Sequence, residues 1–250
     1  MSIVADYETY VSTDTWGKFC GARELLKLMD EAGIDVAIVM AEAYYRPNNE
    51  LTYREIKGHN RLIGCATINA NFGEEAVQEL EKAVNTWGMK GLKLMPTFHG
   101  YRVDSPLVYP LMEKVREFGI PVTIHSGSYY AQPLEIGALA EIFPDVPIIM
   151  DHMGYRYNVN QAVQMAKKHD NIYLGTAVVV VEPVLIKIAV EEAGAEKIIF
   201  GSNAPGSFMD LSIESIKRIG FSKEQESLIF GENLARLYDI THLAKSTFEL

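Results

Sequence analysis

Cysteine is scarce in this chain, with two among 250 residues, Cys20 and Cys65. Two thiols cannot build a disulfide framework or a cysteine-rich zinc site, and a reducing cytoplasm is the expected setting. Positive charge is also short: 23 Lys+Arg against 33 Asp+Glu leave a formal net charge of −10. That balance gives no electrostatic footprint for nucleic acid. Long apolar runs are missing. The longest candidate, Gly175–Val181, falls far short of the ~18 residues that a membrane-spanning helix needs, so no membrane association is expected. The opening residues, MSIVADYETY, lack a basic segment and carry Asp6 and Glu8, unlike a secretory signal. No GxGxxG or GxxxxGK(S/T) follows an apolar run, which removes the common nucleotide-binding turns. No Ser/Gly-rich linker or charge block divides the chain, so a single domain over 1–250 is expected. With 48% hydrophobic residues it is too apolar for intrinsic disorder.

What is present is repetition. A short apolar, β-branched run recurs at Ile3–Ala5, Val36–Met40, Leu62–Ala66, Gly91–Leu94, Val122–Ile124, Ile148–Met150, Ile172–Leu174 and Ile198–Phe200. Their first residues lie 24 to 33 positions apart. Runs apolar on both faces suit buried parallel strands. Between them, Ala22–Ala32, Glu74–Thr86, Leu107–Phe118 and Pro183–Ala193 show helical spacing, and three of these end at Gly33, Gly119 and Gly194, where a left-handed cap is expected. Eight strand–helix units in 250 residues match a (β/α)8 TIM barrel, an α/β fold of ~250 residues. A doubly wound open sheet is the competing architecture. Lys223–Tyr238 reads as an added C-terminal helix beside the barrel.

A barrel gathers its active site at the C-terminal ends of its strands, so the polar residues ending each run matter most. The first run leads to Asp6, Glu8 and Tyr10; the fourth contains Lys93 and leads to His99. The fifth ends in His125, the sixth in Asp151 and His152, and the eighth in Ser202 and Asn203. Imidazoles and carboxylates meeting at one mouth suit a divalent metal with an open position. Each residue also has a plainer explanation. A strand-end histidine can be a hydrogen-bonded core residue, Glu8 a surface ion-pair partner, and Asn203 a helix N-cap. His125 and His152 together tilt the balance toward function. Lys93, inside an apolar strand, needs a partner, and a substrate carboxylate is one candidate. Tyrosines 10, 44, 45, 129, 130, 155 and 157 cluster in the expected top loops and suggest a pocket with aromatic walls.

The segments GMKGLKLMP, IPVTIHSG, PIIMDHMG, NIYLGTA, KIIFGSNAP and GENLARLY occur in this order. Together they resemble the amidohydrolase superfamily, in its amidohydrolase-2 branch, from the first strand to the terminal helix. The resemblance implies a distorted barrel with one divalent metal, zinc or manganese, at its mouth. It also implies hydrolase, lactonase, or non-oxidative decarboxylase or hydratase chemistry on a small molecule. By position, His125 falls on a metal-ligand histidine and His152 on a histidine that contacts substrate or attacking water. Asn203 stands where the family has an aspartate, and Glu8-Thr9-Tyr10 where it has an HxH or ExH pair. Two positions therefore depart from the pattern. A phenol, with a reference pKa of ~10, is a poor zinc ligand, and an amide cannot accept a proton at neutral pH.

Three readings follow. In the first, a metal held by Glu8 and His125 assists hydrolysis or decarboxylation of a small carboxylated or carbonyl-containing molecule. His152 serves as acid/base with Asn203 and Tyr10 nearby, and Lys93 and Arg156 hold a substrate carboxylate. In the second, the barrel is a metal-independent lactonase whose water is positioned by His125, His152 and Tyr10. In the third, the barrel keeps its pocket and has lost its chemistry, acting as a ligand-binding protein. A homodimer is compatible with the resemblance, although no sequence patch specifies it.

Overall fold

The structure, a computed structural model, describes residues 3–14 and 16–243. Eight strands run parallel, each hydrogen-bonded to the next in sequence: β1 (Ala5–Tyr10), β4 (Val36–Met40), β5 (Leu62–Ile68), β6 (Leu92–Leu94), β7 (Val122–His125), β8 (Ile148–Asp151), β9 (Ile172–Gly175) and β10 (Ile198–Ile199). Backbone bonds from Tyr7 N to Phe200 O (3.1 Å), Asn203 N to Glu8 O (3.0 Å) and Tyr10 N to Ala204 O (2.8 Å) join the last strand's exit to the first. The expected (β/α)8 barrel is thus the fold. A small antiparallel hairpin, β2 (Ser12–Thr13) with β3 (Phe19–Cys20), leaves the end of β1.

The two faces of each strand carry different cores, as the period of two requires. In β4, Val36, Ile38 and Met40 pack inside the barrel with Tyr7, Cys65, Ile149 and Ile199, while Ala37 and Val39 join the outer layer under the helices. The outer layer holds Leu25 and Met29 of the first helix, Ala22–Ala32, and Leu80 of Glu74–Asn85. Gly33 and Gly119 cap their helices with φ of 72° and 64°, as expected. Gly194 does not take the left-handed helical conformation; its φ of 91° and ψ of 148° start a 3-10 turn into β10. The helix expected at Leu107 begins as a 3-10 turn and becomes α-helical at Tyr109.

One expectation changes more substantially. The first strand is not Ile3–Ala5 but Ala5–Tyr10, the polar sequence ADYETY. Asp6 pairs with Ala37 and Thr9 with Val39, so β1 carries one extra residue between them. Such a bulge turns consecutive side chains to the same face. Here it sends both Tyr7 and Glu8 inward, while Asp6 and Thr9 bond outward to Ser202 N and Ile38 O. The added C-terminal helix is present, as Lys223–Ser227 and Asn233–Leu237 joined by a π-helical turn over Leu228–Glu232. Leu234, Ala235, Tyr238 and Ile240 pack with Ile3, Ala5 and Val36 at the strand entries, closing the N-terminal end. Among the described residues, no helix is long and apolar enough to cross a membrane.

Candidate active site

The bulge in β1, the middle of β6 and the end of β8 deliver three charged side chains to one buried place. Lys93 Nζ donates to Glu8 Oε1 at 3.0 Å and to Asp151 Oδ2. All three side chains are at most 1% exposed. Tyr10 donates its hydroxyl to Glu8 Oε1 (2.6 Å), and Tyr7 donates to Asp151 Oδ1. Tyr7 fits because Gly175 and Gly201 have no side chains: a Cβ on either would lie 2.2 or 2.4 Å from the Tyr7 ring or hydroxyl. Burial alone would lower the Lys93 pKa, but the Asp151 and Glu8 carboxylates outweigh it and raise it above the usual lysine range. Asp151 shows the mirror effect. Burial pushes its pKa up, and the adjoining His152 ring and the Lys93 ammonium hold it down.

After β8 the chain makes an unusual turn. His152, Met153, Gly154 and Tyr155 all have positive φ, from 48° to 76°, a conformation that costs energy for the three residues with a Cβ and is found most often at functional sites. Ser126 holds the turn by donating to Asp151 O and accepting from Gly154 N (2.8 Å). The turn brings His152 Nδ1 to 3.0 Å from Ala177 O and 3.1 Å from Asp151 Oδ1. A carbonyl oxygen can only accept, so Nδ1 carries the proton. Nε2 is then the free nitrogen, and it is not among the buried atoms lacking a partner. His125 packs edge-on against His152, with ring centroids 5.0 Å apart, and against Phe98 at 5.1 Å. Its Nε2 lies 3.3 Å from the Tyr155 hydroxyl. Burial, reinforced by the neighbouring His152 ring and the Lys93 ammonium, pushes its pKa down to about 3, so the ring is neutral.

Above this cluster a cavity of about 540 Å³ opens between the strand ends, walled by Tyr10, Glu42, Tyr44, Phe98 and Asn203 among others. Asn203 sits at φ 63°, a backbone region that asparagine tolerates better than most residues. Its backbone N–H is spent on Glu8 O, and the residue lines the cavity.

Of the residues expected from the sequence, Glu8, Tyr10, Lys93, His125, His152 and Asn203 converge on this mouth. Lys93 is fully buried against the two carboxylates, and the half-exposed Arg156, on the helix Tyr155–Lys168, pairs with Glu182. His99 lies apart, its Nε2 3.0 Å from Tyr44 O. Sequence reasoning missed Tyr7, and it placed Asp151 at a strand end without giving it a role. The DHMG motif contained the signal for Asp151, and the glycines of YLG and FGS opposite an inward tyrosine held the signal for Tyr7.

Glu8, Asp151 and His152 each offer a ligand atom within 4.8 Å of the others, which makes them a candidate metal group; His125 lies outside it. The donor chemistry does not suit a divalent ion as the side chains stand. The Lys93 ammonium and two tyrosine hydroxyls already occupy the carboxylates, and His152 turns an N–H toward them rather than a lone pair. Glu8 Oε2 is the one carboxylate oxygen of the pair left without a hydrogen bond.

Comparison with known proteins agrees with this architecture. The amidohydrolase family model matches residues 18–240. A 65-residue stretch, 26% of this chain, is 28% identical to 2-amino-3-carboxymuconate-6-semialdehyde decarboxylase of Dictyostelium discoideum, of whose length it spans 18%. Among solved structures, 4-oxalomesaconate hydratase from Rhodopseudomonas palustris superposes with a TM-score of 0.74 at 20% identity, covering 97% of each chain. A dihydroxybenzoic acid decarboxylase from a Polaromonas species, solved with bound manganese, gives a TM-score of 0.73 at 17% identity over 96% of this chain and 98% of that one.

Proposed function

The chain belongs to the amidohydrolase family, and we propose that it hydrolyses a small activated ester or lactone at the barrel mouth, with His152 as the proton-transfer group. The observation that carries this reading is the Asp151–His152 pair. Nδ1–H is held by Ala177 O and Asp151, which fixes the tautomer and leaves the Nε2 lone pair to serve as a general base. Nε2 takes a proton from water as the water oxygen attacks the carbonyl carbon. The resulting imidazolium is stabilised by Asp151, and it returns the proton to the departing alkoxide. The Asn203 amide, on the cavity wall, donates to the oxygen on which negative charge develops. The Tyr10 hydroxyl donates its hydrogen bond to Glu8 and offers the substrate only lone pairs. Phe98 and Tyr44 supply apolar wall.

The engagement of the carboxylates beneath the mouth also supports this assignment. The aspartate position at the end of β10 is the amide of Asn203, and Glu8 and Asp151 are engaged by Lys93. Lys93 and Arg156 are both paired with acids, so a neutral ester suits the mouth better than a polycarboxylate.

A second reading is a lyase, either a decarboxylase or a hydratase, with His152 delivering or removing the proton. It is supported by the activities named for the relatives of similar fold. One experiment separates the two. The protein is treated with chelator and offered lactones, aryl esters and hydroxybenzoates, and acid release and carbon dioxide are followed separately. Ring opening or ester cleavage without carbon dioxide is the expected result. Carbon dioxide release with no cleavage of any ester would replace the first reading by the second.

A further inference from the structure

Glu8 and Asp151 come from strands on different parts of the barrel wall, yet they meet at one atom, Lys93 Nζ. Two carboxylates so placed, with side-chain exposures of 1% and 0%, cannot both stay ionised without a cation between them. A divalent ion could be such a cation, and the decarboxylase of similar fold from Polaromonas was solved with bound manganese. Here the chain supplies a covalently attached one. We propose that the Lys93 ammonium is a built-in counter-ion that holds Glu8 and Asp151 together and closes their site to divalent metal.

The geometry supports this in three ways. Lys93 lies mid-strand in β6 between Leu92 and Leu94, so its side chain has no course to solvent; it is fully buried. It occupies Glu8 Oε1 and Asp151 Oδ2, and the remaining Asp151 oxygen is taken by Tyr7. His152 Nδ1, the imidazole nitrogen nearest both acids at 3.7 and 3.1 Å, is protonated toward Ala177 O. A divalent ion added beside the ammonium would meet a like charge and an N–H. The inference does not rest on the hydrolase reading and is tested without turnover.

The test compares full-length wild type, Lys93→Met and the double variant Lys93→Met/Glu8→Gln by thermal unfolding, and the first two also by calorimetric titration with Mn2+ and with Zn2+. Wild type after chelator should unfold at the same temperature with or without either ion. In metal-free buffer, Lys93→Met should unfold roughly 10 °C lower, since it leaves two uncompensated buried charges. Either ion should restore it and bind about 100-fold more tightly than to wild type. If Lys93→Met does not fold at all, the double variant decides, because removing one negative charge should recover a cooperative transition. Overturning results would be one tightly held equivalent of metal in wild type, equal metal affinity in wild type and Lys93→Met, or a double variant no more stable than Lys93→Met.

Discussion

The two ends of this barrel are built from the same strands and differ in nearly everything else. At the N-terminal end, Leu234, Tyr238 and Ile240 close over Ile3, Ala5 and Val36. At the C-terminal end the inward positions change to Glu8, Lys93, His125 and Asp151, all buried. The exposed aromatic rings, from Trp16 through Tyr44, Phe98 and Tyr129 to Phe208, also follow the C-terminal ends of barrel strands. One end buries oil and the other buries charge. Buried charge is poor evidence for stability, because desolvation cancels most of the pairing energy. Its concentration at one end, with a run of positive-φ residues beside it, therefore points to chemistry there and to folding at the other end.

Mutations should break this contrast in opposite ways. Asp151→Asn removes the negative charge shared by Lys93, Tyr7 and His152 and turns one of its two acceptor oxygens into a donor; turnover should fall about 100-fold or more, and unfolding in urea should show a loss of roughly 3 kcal/mol. Leu234→Ala, at the closed end, should cost about 2–5 kcal/mol and leave kcat unchanged at a temperature where the protein stays folded. Gly201→Ala would press a methyl group into the Tyr7 ring, with an expected cost of about 1–3 kcal/mol. Pairing it with Tyr7→Ala should recover part of that loss in a double-mutant cycle.

A subtler pH effect belongs to the outward side of β1. Burial, outweighing its hydrogen bonds from Ser202 and Glu8, pushes the Asp6 carboxyl up to about 7. The folded state therefore holds this proton more tightly than the unfolded chain, whose aspartate titrates near ~3.9. Its contribution to stability is full below that unfolded value, is lost as pH rises to about 7, and is constant above. Denaturation midpoints measured at pH 5 and pH 8 should show that slope in wild type and lose it in Asp6→Asn. The smallest effect is expected from Arg156→Ala, since its ion pair with Glu182 is about half exposed; a stability change within about 0.5 kcal/mol and unchanged KM would place it outside the site.

Seven of the eight barrel strands were legible as apolar runs because their burial on both faces leaves an unbroken hydrophobic signature. The first was displaced because its interior carries function. ADYETY alternates for no core, and its bulge depends on pairing with β4, which no local pattern encodes. His125 and His152 were found because strand-end position alone marks them. The partners of Lys93 were not, since they lie 85 and 58 residues away in sequence. A buried lysine announces that it needs a counter-charge without saying which, and here two protein carboxylates provide it where a substrate was expected. Asp151 was given no role beside its more conspicuous neighbour, although it orients that neighbour.

The central claim is that the charged end of the barrel performs proton transfer through His152. The most direct measurement is the rate of lactone or ester hydrolysis by chelator-treated wild type and by His152→Asn, with circular dichroism confirming that both are folded. The account predicts turnover in wild type and a loss of about 100-fold or more in the variant. Activity that appears only on adding Mn2+ or Zn2+, or that survives His152→Asn unchanged, would contradict it.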